Sequence, residues 1–511
     1  GHVASEGSTP VAVPAELRGG VADVSIVAPT SLARDREVRA SSRPAPARAA
    51  AARPLPLQSP ADPYNGLPTT TGSAFGASGT PRGCAAARAA TSPFGRGFAP
   101  NQISTAYGVD RLHRRGLRGE GMRVALIEAD GFLHRDLKTF AACFGLRLPP
   151  IRTAVVDRRR ALPPGPETTL DLEVLIAQAP QLERIDVQQM HSASSDVAGD
   201  LLAAVSAALR ERPRPDALSL SLDVCEAAIG APGVPTGSIV AVRALDDLFA
   251  LAAAAGVSTV VASGDAGSAG CLRESDSVLP SVSFPSSSAW VTAVGGTNVR
   301  LDAANRIARE VAWNDTPAAI ALFAEQGITT PPAEAVANAS GGGRSLLFAR
   351  PWWQRDAGLP GGARLVPDVS ALAGQLPGWV TYCSNRACVE SDQSGWSTSG
   401  GTSAATPLVA AALTLSSQAA RRRGQPPIGF ANPLIYRLAD GRERSAVLRD
   451  VTVGATDVTA AVGRNYHGDR GVLGVYPAGR GYDLATGWGS LVLPAFTDAA
   501  LAAGRRGAGG R

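Results

Sequence analysis

Ser403 has a setting in which a hydroxyl could act as a nucleophile. It lies in the stretch GGTSAATP, residues 400–407, where an apolar helical run begins. A helix N-terminus would offer a backbone amide and a positive dipole to an oxyanion that forms beside the serine. Ser403 could equally be an ordinary helix cap, with Ala404 as the first helical residue and Pro407 as the fourth, where a missing N–H costs no hydrogen bond. The stretch alone leaves both interpretations open.

Two acidic residues on a second stretch could transfer protons. Glu167 and Asp171 are four residues apart in ETTLDLEVLIAQAP, residues 167–180. This spacing puts them on one helix face, with Cβ atoms about 6 Å apart. Their neighbours are mostly apolar, so both carboxyls would be poorly solvated. The alternative is that the two acids only complement the positive end of the helix dipole.

Asp265 is the third candidate group, in the stretch VVASGDAGS. A β-branched run stops at Ser263 and leaves Asp265 between two glycines. An aspartate in such a turn is ordinary loop chemistry. Its position after a strand is nevertheless informative, because ligands and reactions in open α/β sheets lie beyond the carboxyl ends of the strands.

Alternating strands and helices would position these residues. Strand-like runs alternate with helical runs from about residue 98; the strand-like ones are MRVALIEAD, IDVQQM, ALSLSL, VSTVVAS and WVTAVGG. This alternation predicts an α/β fold with a mostly parallel central sheet and helices on both faces. Residues 1–97 are rich in Ala, Arg, Pro, Ser and Gly, which predicts a disordered leader or the remnant of a pro-segment. We expect the folded domain to span residues 98–500 and a flexible tail to span residues 501–511.

Composition excludes several classes of protein. The formal charge is +5 over 511 residues, and the runs at 158–160 and 421–423 are the only groups of three arginines. We interpret them as solvated faces and expect no nucleic-acid partner. No apolar run reaches 18 residues, so we expect no membrane span. The chain starts without a methionine or an apolar signal core, which indicates a trimmed chain.

The six cysteines indicate disulfides in an exported protein. Neither C-x-x-C nor clustered histidine is present, which argues against zinc. Cys383 and Cys388 are close enough in sequence to clip a short loop. For the other four cysteines, free buried thiols remain the alternative.

The serine stretch resembles the motif shared by subtilisin-like and sedolisin-type peptidases. Subtilisin-like enzymes use a histidine in an H-G-T-like setting, and all five histidines of this chain lack it. The helix with Glu167 and Asp171 resembles instead the E-x-x-x-D helix of the sedolisins, the serine-carboxyl peptidases. SGDAGS, FPSSSAWVTAVGGT, SGGGRS, PDVSA and the serine motif then follow in family order. The resemblance covers residues 98 to 495.

This resemblance implies a subtilisin-like fold and a role for each candidate. Ser403 would attack the scissile carbonyl, Glu167 would be the general base, and Asp171 would orient Glu167. Asp265, in its protonated form, would stabilise the oxyanion. The resemblance thus implies a secreted, acid-active endopeptidase that acts on proteins or peptides. A tripeptidyl-type exopeptidase and a catalytically silent descendant that binds peptides or cell-surface polymers are the alternatives.

The resemblance also implies one structural Ca²⁺ ion near the C-terminus. The family site is built from an aspartate, three carbonyls and a second aspartate; the matching positions are Asp450, Val451, Gly479, Gly481 and Asp483. Such oxygen ligands suit calcium. A glycine-rich turn without metal is the alternative. We expect the protein to be a monomer.

Three features depart from the family pattern. Leu222 and Asp223 replace the Trp-Gly of S-x-S-W-G, which puts substrate specificity in doubt. Residues 1–97 are too short and too poor in apolar pattern for a folded pro-domain, so we expect that domain to have been removed or lost. Residues 314–340 resemble a local insertion or surface hairpin with no assigned role.

Overall fold

The computed structural model describes residues 75–92, 95–156, 160–190, 196–229, 237–275, 279–329, 331–388, 395–458 and 476–508. They all fall within one compact unit, Pro63–Arg511. Most of the expected leader, residues 1–74, lies outside the described part of the chain.

The strands are short. They are β1 (Gly76–Ala77), β2 (Thr91–Ser92), β3 (Gly95–Arg96), β4 (Arg123–Glu128), β5 (Ile151–Val155), β6 (Arg184–Gln189), β7 (Ala217–Leu220), β8 (Val224–Cys225), β9 (Ser258–Ala262), β10 (Ser283–Phe284), β11 (Thr292–Leu301), β12 (Ile307–Ala312), β13 (Gly343–Ala349), β14 (Ala363–Val366), β15 (Val369–Leu372), β16 (Trp379–Tyr382), β17 (Trp396–Ser399), β18 (Leu448–Arg449) and β19 (Ser490–Leu491).

The helices vary more in length. They are α1 (Ala85–Ala89), α2 (Pro100–Tyr107), α3 (Val109–Arg114), α4 (His134–Phe144), α5 (Pro166–Gln178), α6 (Val197–Arg210), α7 (Ile239–Ala254), α8 (Leu272–Ser275), α9 (Thr316–Glu325), α10 (Ala333–Val336), α11 (Trp352–Asp356), α12 (Thr402–Arg421), α13 (Asn432–Asp440), α14 (Arg444–Val447) and α15 (Leu493–Ala508).

The central sheet is mostly parallel, as the sequence predicts. Its order is β1-β11-β9-β7-β4-β6-β5, and β12 and β15 also pair with β11. Only β12 runs antiparallel to its neighbour among the described strands of this sheet. Strands β4, β7 and β9 are almost wholly buried, because helices cover both faces of the sheet.

Each face of the sheet has its own set of helices. Helices α6 and α7 pack on one face around an apolar cluster that includes Leu201 and Phe249. Helices α5 and α12 pack together on the other face, in the larger cluster. Helix α12 is buried from Thr402 to Ala420. Its many alanines let it lie close to both the sheet and α5, so α12 is the central helix of the domain.

The structure corrects two expected domain boundaries. Strand β1 extends the central sheet by pairing with β11, and a disulfide joins Cys84 to Cys143. Residues 75–92 and 95–97 therefore belong to the folded unit, because sheet pairing and a covalent link hold them there. At the other end, α15 continues to Ala508, so the tail expected from residue 501 is helical as far as the structure describes it.

The stretch 314–340 contains two helices, α9 and α10, and returns to the body of the protein. Asn314 pairs with Ala339, and Ala339 also pairs with Ala266, next to Asp265. The Ala339 amide donates a hydrogen bond to the Asp265 carbonyl oxygen at 2.9 Å. This stretch therefore supports the turn that holds Asp265.

Candidate active site

Three neighbouring strands end at one edge of the sheet and deliver polar side chains there. Strand β4 ends at Glu128, β7 is followed by Ser221, and β9 by the turn with Asp265. Because β9, β7 and β4 are adjacent and parallel, their carboxyl ends meet at the same place. The N-termini of α5 and α12 carry Glu167 and Ser403 to this edge.

Asp130, just after β4, fixes the start of α5. Its carboxylate accepts hydrogen bonds from the backbone amides of Glu167 (3.2 Å) and Thr168 (3.0 Å). These two of the four free amides at a helix N-terminus are therefore satisfied from another segment. The cap residue Gly165 has to be small, since a Cβ there would lie 1.8 Å from Asp130 Oδ2. Glu167 thus sits on a firmly anchored first turn.

The start of α12 excludes the alternative that Ser403 is the helix cap. Gly401 is the cap residue, with φ +92°, and Ser403 is the second residue of the helix. Asp265 supplies the capping oxygen instead: its Oδ1 accepts hydrogen bonds from the Thr402 amide (2.8 Å) and hydroxyl (2.7 Å). The serine hydroxyl is therefore not used in capping. A Cβ on Gly401 would lie 2.6 Å from Asp265 Oδ2.

Pro407 is consequently the sixth helical residue, not the fourth. Its missing N–H leaves the Ser403 carbonyl without the usual partner one turn later. Ser221 Oγ lies 3.4 Å from that carbonyl oxygen and donates a 2.6 Å hydrogen bond to Asp171 Oδ2. The end of β7 therefore connects the buried Asp171 with the backbone of Ser403.

A cavity of about 200 Å³ opens over these groups. Glu167, Asp265 and Ser403 line it, together with Ser221 and Asp223. Ser403 is only 8% exposed, and that exposed surface faces this cavity. Asp171 is fully buried and does not line the cavity. The four residues predicted from the sequence are therefore brought together, with Asp171 behind Glu167.

Burial dominates the electrostatics of the acidic pair. It raises the pKa of Glu167 from 4.5 to about 8, while a hydrogen bond from Ser403 favours the charged carboxylate and the nearby Asp265 charge opposes it. Burial also raises the pKa of Asp171 well above its usual value; the charge of Glu167 adds to this, and the hydrogen bond from Ser221 opposes it. Both carboxyls therefore hold protons more strongly than in water.

Glu128 extends this acidic cluster inward. It is fully buried, and its pKa is raised well above the usual value, first by burial and then by the charge of Asp171. One carboxyl oxygen on each of Glu128, Glu167 and Asp171 is buried and has no hydrogen-bond partner among the described residues. The charges of Asp171 and Glu167 raise the pKa of Glu128, and the charge of Glu167 raises the pKa of Asp171, so the three groups titrate together.

The expected calcium positions lie on two segments that contact each other, residues 450–451 and the glycine-rich loop 479–483. The Gly479 amide donates to Asp483 Oδ2 at 2.8 Å, and the Gly481 amide donates to Asp450 Oδ2 at 3.0 Å. Two carboxyls thus flank a single glycine-rich loop. Asp450 also forms an ion pair with Arg444 at 2.8 Å. A cation bound here would compete with that arginine.

The backbone completes the set of oxygen donors. The carbonyl oxygens of Val451, Gly479 and Gly481 accept no hydrogen bond from a backbone amide of a described residue. The described residues hold no cluster of three or more His, Cys, Asp or Glu side chains placed to bind a metal, so a metal here would depend on these carbonyls. Two carboxylates with three free carbonyls fit the ligand preference of Ca²⁺.

All six cysteines pair in the described part of the chain. The expected loop clip Cys383–Cys388 is confirmed, and Cys225 pairs with Cys271. The alternative of free buried thiols is therefore excluded. Within the described ranges, no helix is both long and apolar enough to cross a membrane.

Comparisons with known proteins place this site in a family. Residues 199–428 match the Subtilase family. The chain is 30% identical to kumamolisin of Bacillus sp. (strain MN-32) over 409 residues, 77% of this chain and 62% of kumamolisin. It is 31% identical to sedolisin of Pseudomonas sp. (strain 101) over 277 residues, 54% of this chain and 39% of sedolisin. It is 32% identical to tripeptidyl-peptidase 1 of Homo sapiens over 260 residues, 48% of this chain and 37% of that protein.

A solved structure agrees with these relatives. Pseudomonas sedolisin (serine-carboxyl proteinase), complexed with two molecules of pseudo-iodotyrostatin, superposes with a TM-score of 0.61 and 25% identity, covering 78% of this chain and 96% of that one. The chain is homologous to the sedolisins, a family of serine-type peptidases. It has the subtilisin-like fold of that family. The chain spans 62% of the length of kumamolisin and less than two fifths of sedolisin and tripeptidyl-peptidase 1.

Several residues of this sedolisin-type site were missed from the sequence. Glu128 and Asp130 stand in the strand-like run MRVALIEAD but were not assigned a role. Their signal was their place at the end of a parallel strand, the same rule that singled out Asp265. Thr402 and Ser221 gave no signal, because their roles depend on partners far away in sequence.

Proposed function

We propose that the protein is a secreted, acid-active serine-carboxyl endopeptidase. The observation that supports this most is the convergence of Ser403, Glu167 and Asp265 on one cavity, with Asp171 buried behind Glu167. A serine, a hydrogen-bonded base and a group that orients the base are the three parts of a serine peptidase site. Here carboxyls take the place of imidazole.

In the proposed first step, Ser403 Oγ forms a bond to the scissile carbonyl carbon while Glu167 takes the hydroxyl proton. The carbonyl π pair moves to oxygen, and a tetrahedral intermediate results. Glu167 then gives its proton to the leaving amine as the C–N bond breaks, which leaves an acyl group on Ser403. Water, deprotonated by Glu167, releases this acyl group by the same route in reverse.

Asp265 is proposed to stabilise the oxyanion. Its Oδ1 is occupied by two hydrogen bonds from Thr402, so Oδ2 is the oxygen left for a proton. A protonated Oδ2 could donate to the oxyanion, and the Ser403 amide at the start of α12 adds a second donor. The helix dipole of α12 favours the same charge.

The proposed acid activity follows from two opposing requirements. Asp265 has to be protonated to donate, and a carboxylic acid donor is lost as pH rises. Glu167 has to be ionised to accept, yet burial raises its pKa to about 8. We propose that the cluster shares its protons: the proton that burial keeps on Glu167 moves to Asp171 or Glu128 as Glu167 takes the one from Ser403. We therefore propose activity near pH 4 and little at pH 7.

We also propose one structural calcium ion at Asp450, Val451, Gly479, Gly481 and Asp483. Its support is the set of two carboxyls and three carbonyls described above, which the contact between the Gly481 amide and Asp450 brings together. When bound, Ca²⁺ would supply a cross-link between the loop at 479–483 and the start of the 450–458 segment. Addition of calcium to protein treated with a chelator is expected to raise the melting temperature, and Asp450→Asn should remove that rise. An unchanged melting temperature in the unaltered protein would contradict the calcium proposal.

Export is proposed because all described cysteines form disulfides, which persist in oxidising compartments. Immunodetection in the culture medium against the cell fraction would test it.

The peptidase proposal is tested by digestion of one denatured protein at pH 4 and pH 7, with sequencing of the fragments. Ser403→Ala and Glu167→Ala serve as the variants, and Glu325→Ala, on an exposed turn of α9, serves as the matched control. We expect internal cleavage at pH 4 by the parent and the control only. Release of tripeptides from N-termini would indicate the tripeptidyl alternative, which the similarity to tripeptidyl-peptidase 1 favours. Binding without cleavage would indicate the silent descendant.

A further inference from the structure

We propose that Asp223 selects substrates with a Lys or Arg side chain on the acyl side of the bond that Ser403 cleaves. This inference rests on the proposed peptidase function, because the subsite is a wall of the same cavity. Asp223 lines that cavity with Glu167, Asp265 and Ser403. A side chain that enters beside the nucleophile would therefore meet the Asp223 carboxyl.

The carboxyl of Asp223 lies across the glycine turn that holds Asp265. A Cβ on Gly264 would lie 3.0 Å from Asp223 Oδ2. Gly264 has φ +102°, a conformation that favours glycine, and the absent side chain leaves room for the carboxyl. The two segments that follow β7 and β9 thus form facing walls, with the acid of Asp223 on one of them.

Asp223 is a chemical change within the family pattern. The pattern S-x-S-W-G reads SLSLD here, so a carboxyl stands where the family has a hydrogen. The described residues form no ion pair with Asp223, and the residue is exposed to solvent. A charge without an ion-pair partner in a substrate cleft is available to a charged ligand.

The single arginine of the cavity does not cancel this acidity. Arg273 donates hydrogen bonds to the Ala337 carbonyl (3.0 Å) and to Asn338 Oδ1 (3.1 Å), and it is exposed. These bonds hold it against the 337–338 segment. Three carboxyls, those of Glu167, Asp223 and Asp265, line the cavity against this one guanidinium, so a cationic side chain complements it better than an anionic one.

A disulfide fixes the two charged walls relative to each other. Cys225 follows Asp223 by two residues, Cys271 precedes Arg273 by two, and the two cysteines are bonded. Strands β8 and β10 pair beside this link, with Cys225 opposite Ser283. The subsite is therefore formed before substrate binds, so binding costs little ordering of the protein and the position of the Asp223 carboxyl can discriminate between substrates.

The test uses three peptides, blocked at both ends and identical except for Lys, norleucine or Glu on the acyl side. We expect kcat/KM to favour Lys over norleucine by about tenfold at pH 6, the size of one accessible charge pair in a cleft. The preference should shrink at pH 4, because burial of the carboxyl group raises the pKa of Asp223. The Asp265 charge adds to this rise, and the hydrogen bond with Ser283 and the Arg273 charge oppose it. Asp223→Asn and Asp223→Gly should bring the Lys to norleucine ratio close to one.

Two further variants separate a local charge effect from a general one. Asp247→Asn removes an exposed carboxylate on α7, outside the cavity, and should keep the Lys preference. Arg273→Gln should keep or increase it. If all three peptides are cleaved and Asp223→Asn leaves the Lys to norleucine ratio unchanged, the role of Asp223 is refuted but the peptidase proposal is not. A preference for the Glu peptide would have the same meaning. Failure to cleave any of them at any pH would refute the peptidase proposal and this inference with it.

Discussion

The free energy of unfolding should depend on pH because burial keeps the Glu167 carboxyl neutral in the folded protein. Its pKa in the folded protein is about 8, raised from 4.5 mainly by burial. Between these two values the folded chain keeps the proton and the unfolded chain has lost it, so the free energy of unfolding falls as pH rises through this window. At about 1.36 kcal/mol per pH unit, the loss between pH 4.5 and pH 7 is about 3 kcal/mol.

Glu167→Gln removes this loss, because an amide does not titrate. Both proteins should carry Ser403→Ala, so that self-digestion does not disturb the measurement. Urea unfolding at pH 4 and pH 7 would then give the difference in unfolding free energy. We expect the Gln variant to be more stable than its parent by about 3 kcal/mol at pH 7, and by much less at pH 4.

The matched control is Glu325→Gln, which removes an exposed carboxylate from α9 and should change stability by less than about 0.5 kcal/mol at either pH. If the Glu167→Gln variant loses as much stability as its parent on going from pH 4 to pH 7, then Glu167 is not held in its neutral form by burial, and the reasoning on the acidic cluster is wrong.

Three other substitutions test the packing around the site. Gly401→Ala should lower kcat at least tenfold, because the new Cβ would lie 2.6 Å from Asp265 Oδ2 and the backbone φ is +92°. The rate of peptide hydrolysis measures this effect. An unchanged kcat would contradict the close approach of Gly401 to Asp265. Thr402→Val removes the 2.7 Å hydrogen bond from the Thr402 hydroxyl to Asp265. In the same assay it should lower kcat roughly tenfold with little change in KM. A change in KM alone would show that Asp265 acts in substrate binding. Asp368→Ala leaves the fully buried Arg364 without its carboxylate partner. It should reduce the free energy of unfolding, measured by urea unfolding, by about 3 to 5 kcal/mol. A loss below about 1 kcal/mol would contradict the burial of this ion pair.

Periodicity made the sheet predictable. Each strand-like run of the sequence became a parallel strand, because a strand buried on both faces is recognisable by its apolar composition. Helix α5 also formed where the pattern placed it, over most of the stretch 167–180. What the pattern could not give was the order of strands, since pairing joins residues such as Leu218 and Thr259 that are distant in sequence.

Candidate site residues could be recognised from the sequence where they stand within one short stretch. Contacts between stretches that are distant in sequence could not be recognised. Ser403, Glu167 and Asp265 were found from local spacing. The cap interpretation of Ser403 stayed open because the sequence cannot show that Asp265, more than a hundred positions earlier, approaches Thr402. Ser221 was missed for the same reason, whereas Glu128 and Asp130 were missed although they stand at the end of a predicted strand.

Identification of the acylated residue would show directly whether Ser403 is the nucleophile. A single turnover of a slowly released ester substrate at pH 4 would be quenched in acid, and the protein digested for mass spectrometry. The account predicts an acyl group on Ser403, a smaller yield of it with Glu167→Gln, and none with Ser403→Ala. An acyl group on another residue, or hydrolysis by Ser403→Ala at the parent's rate, would contradict it.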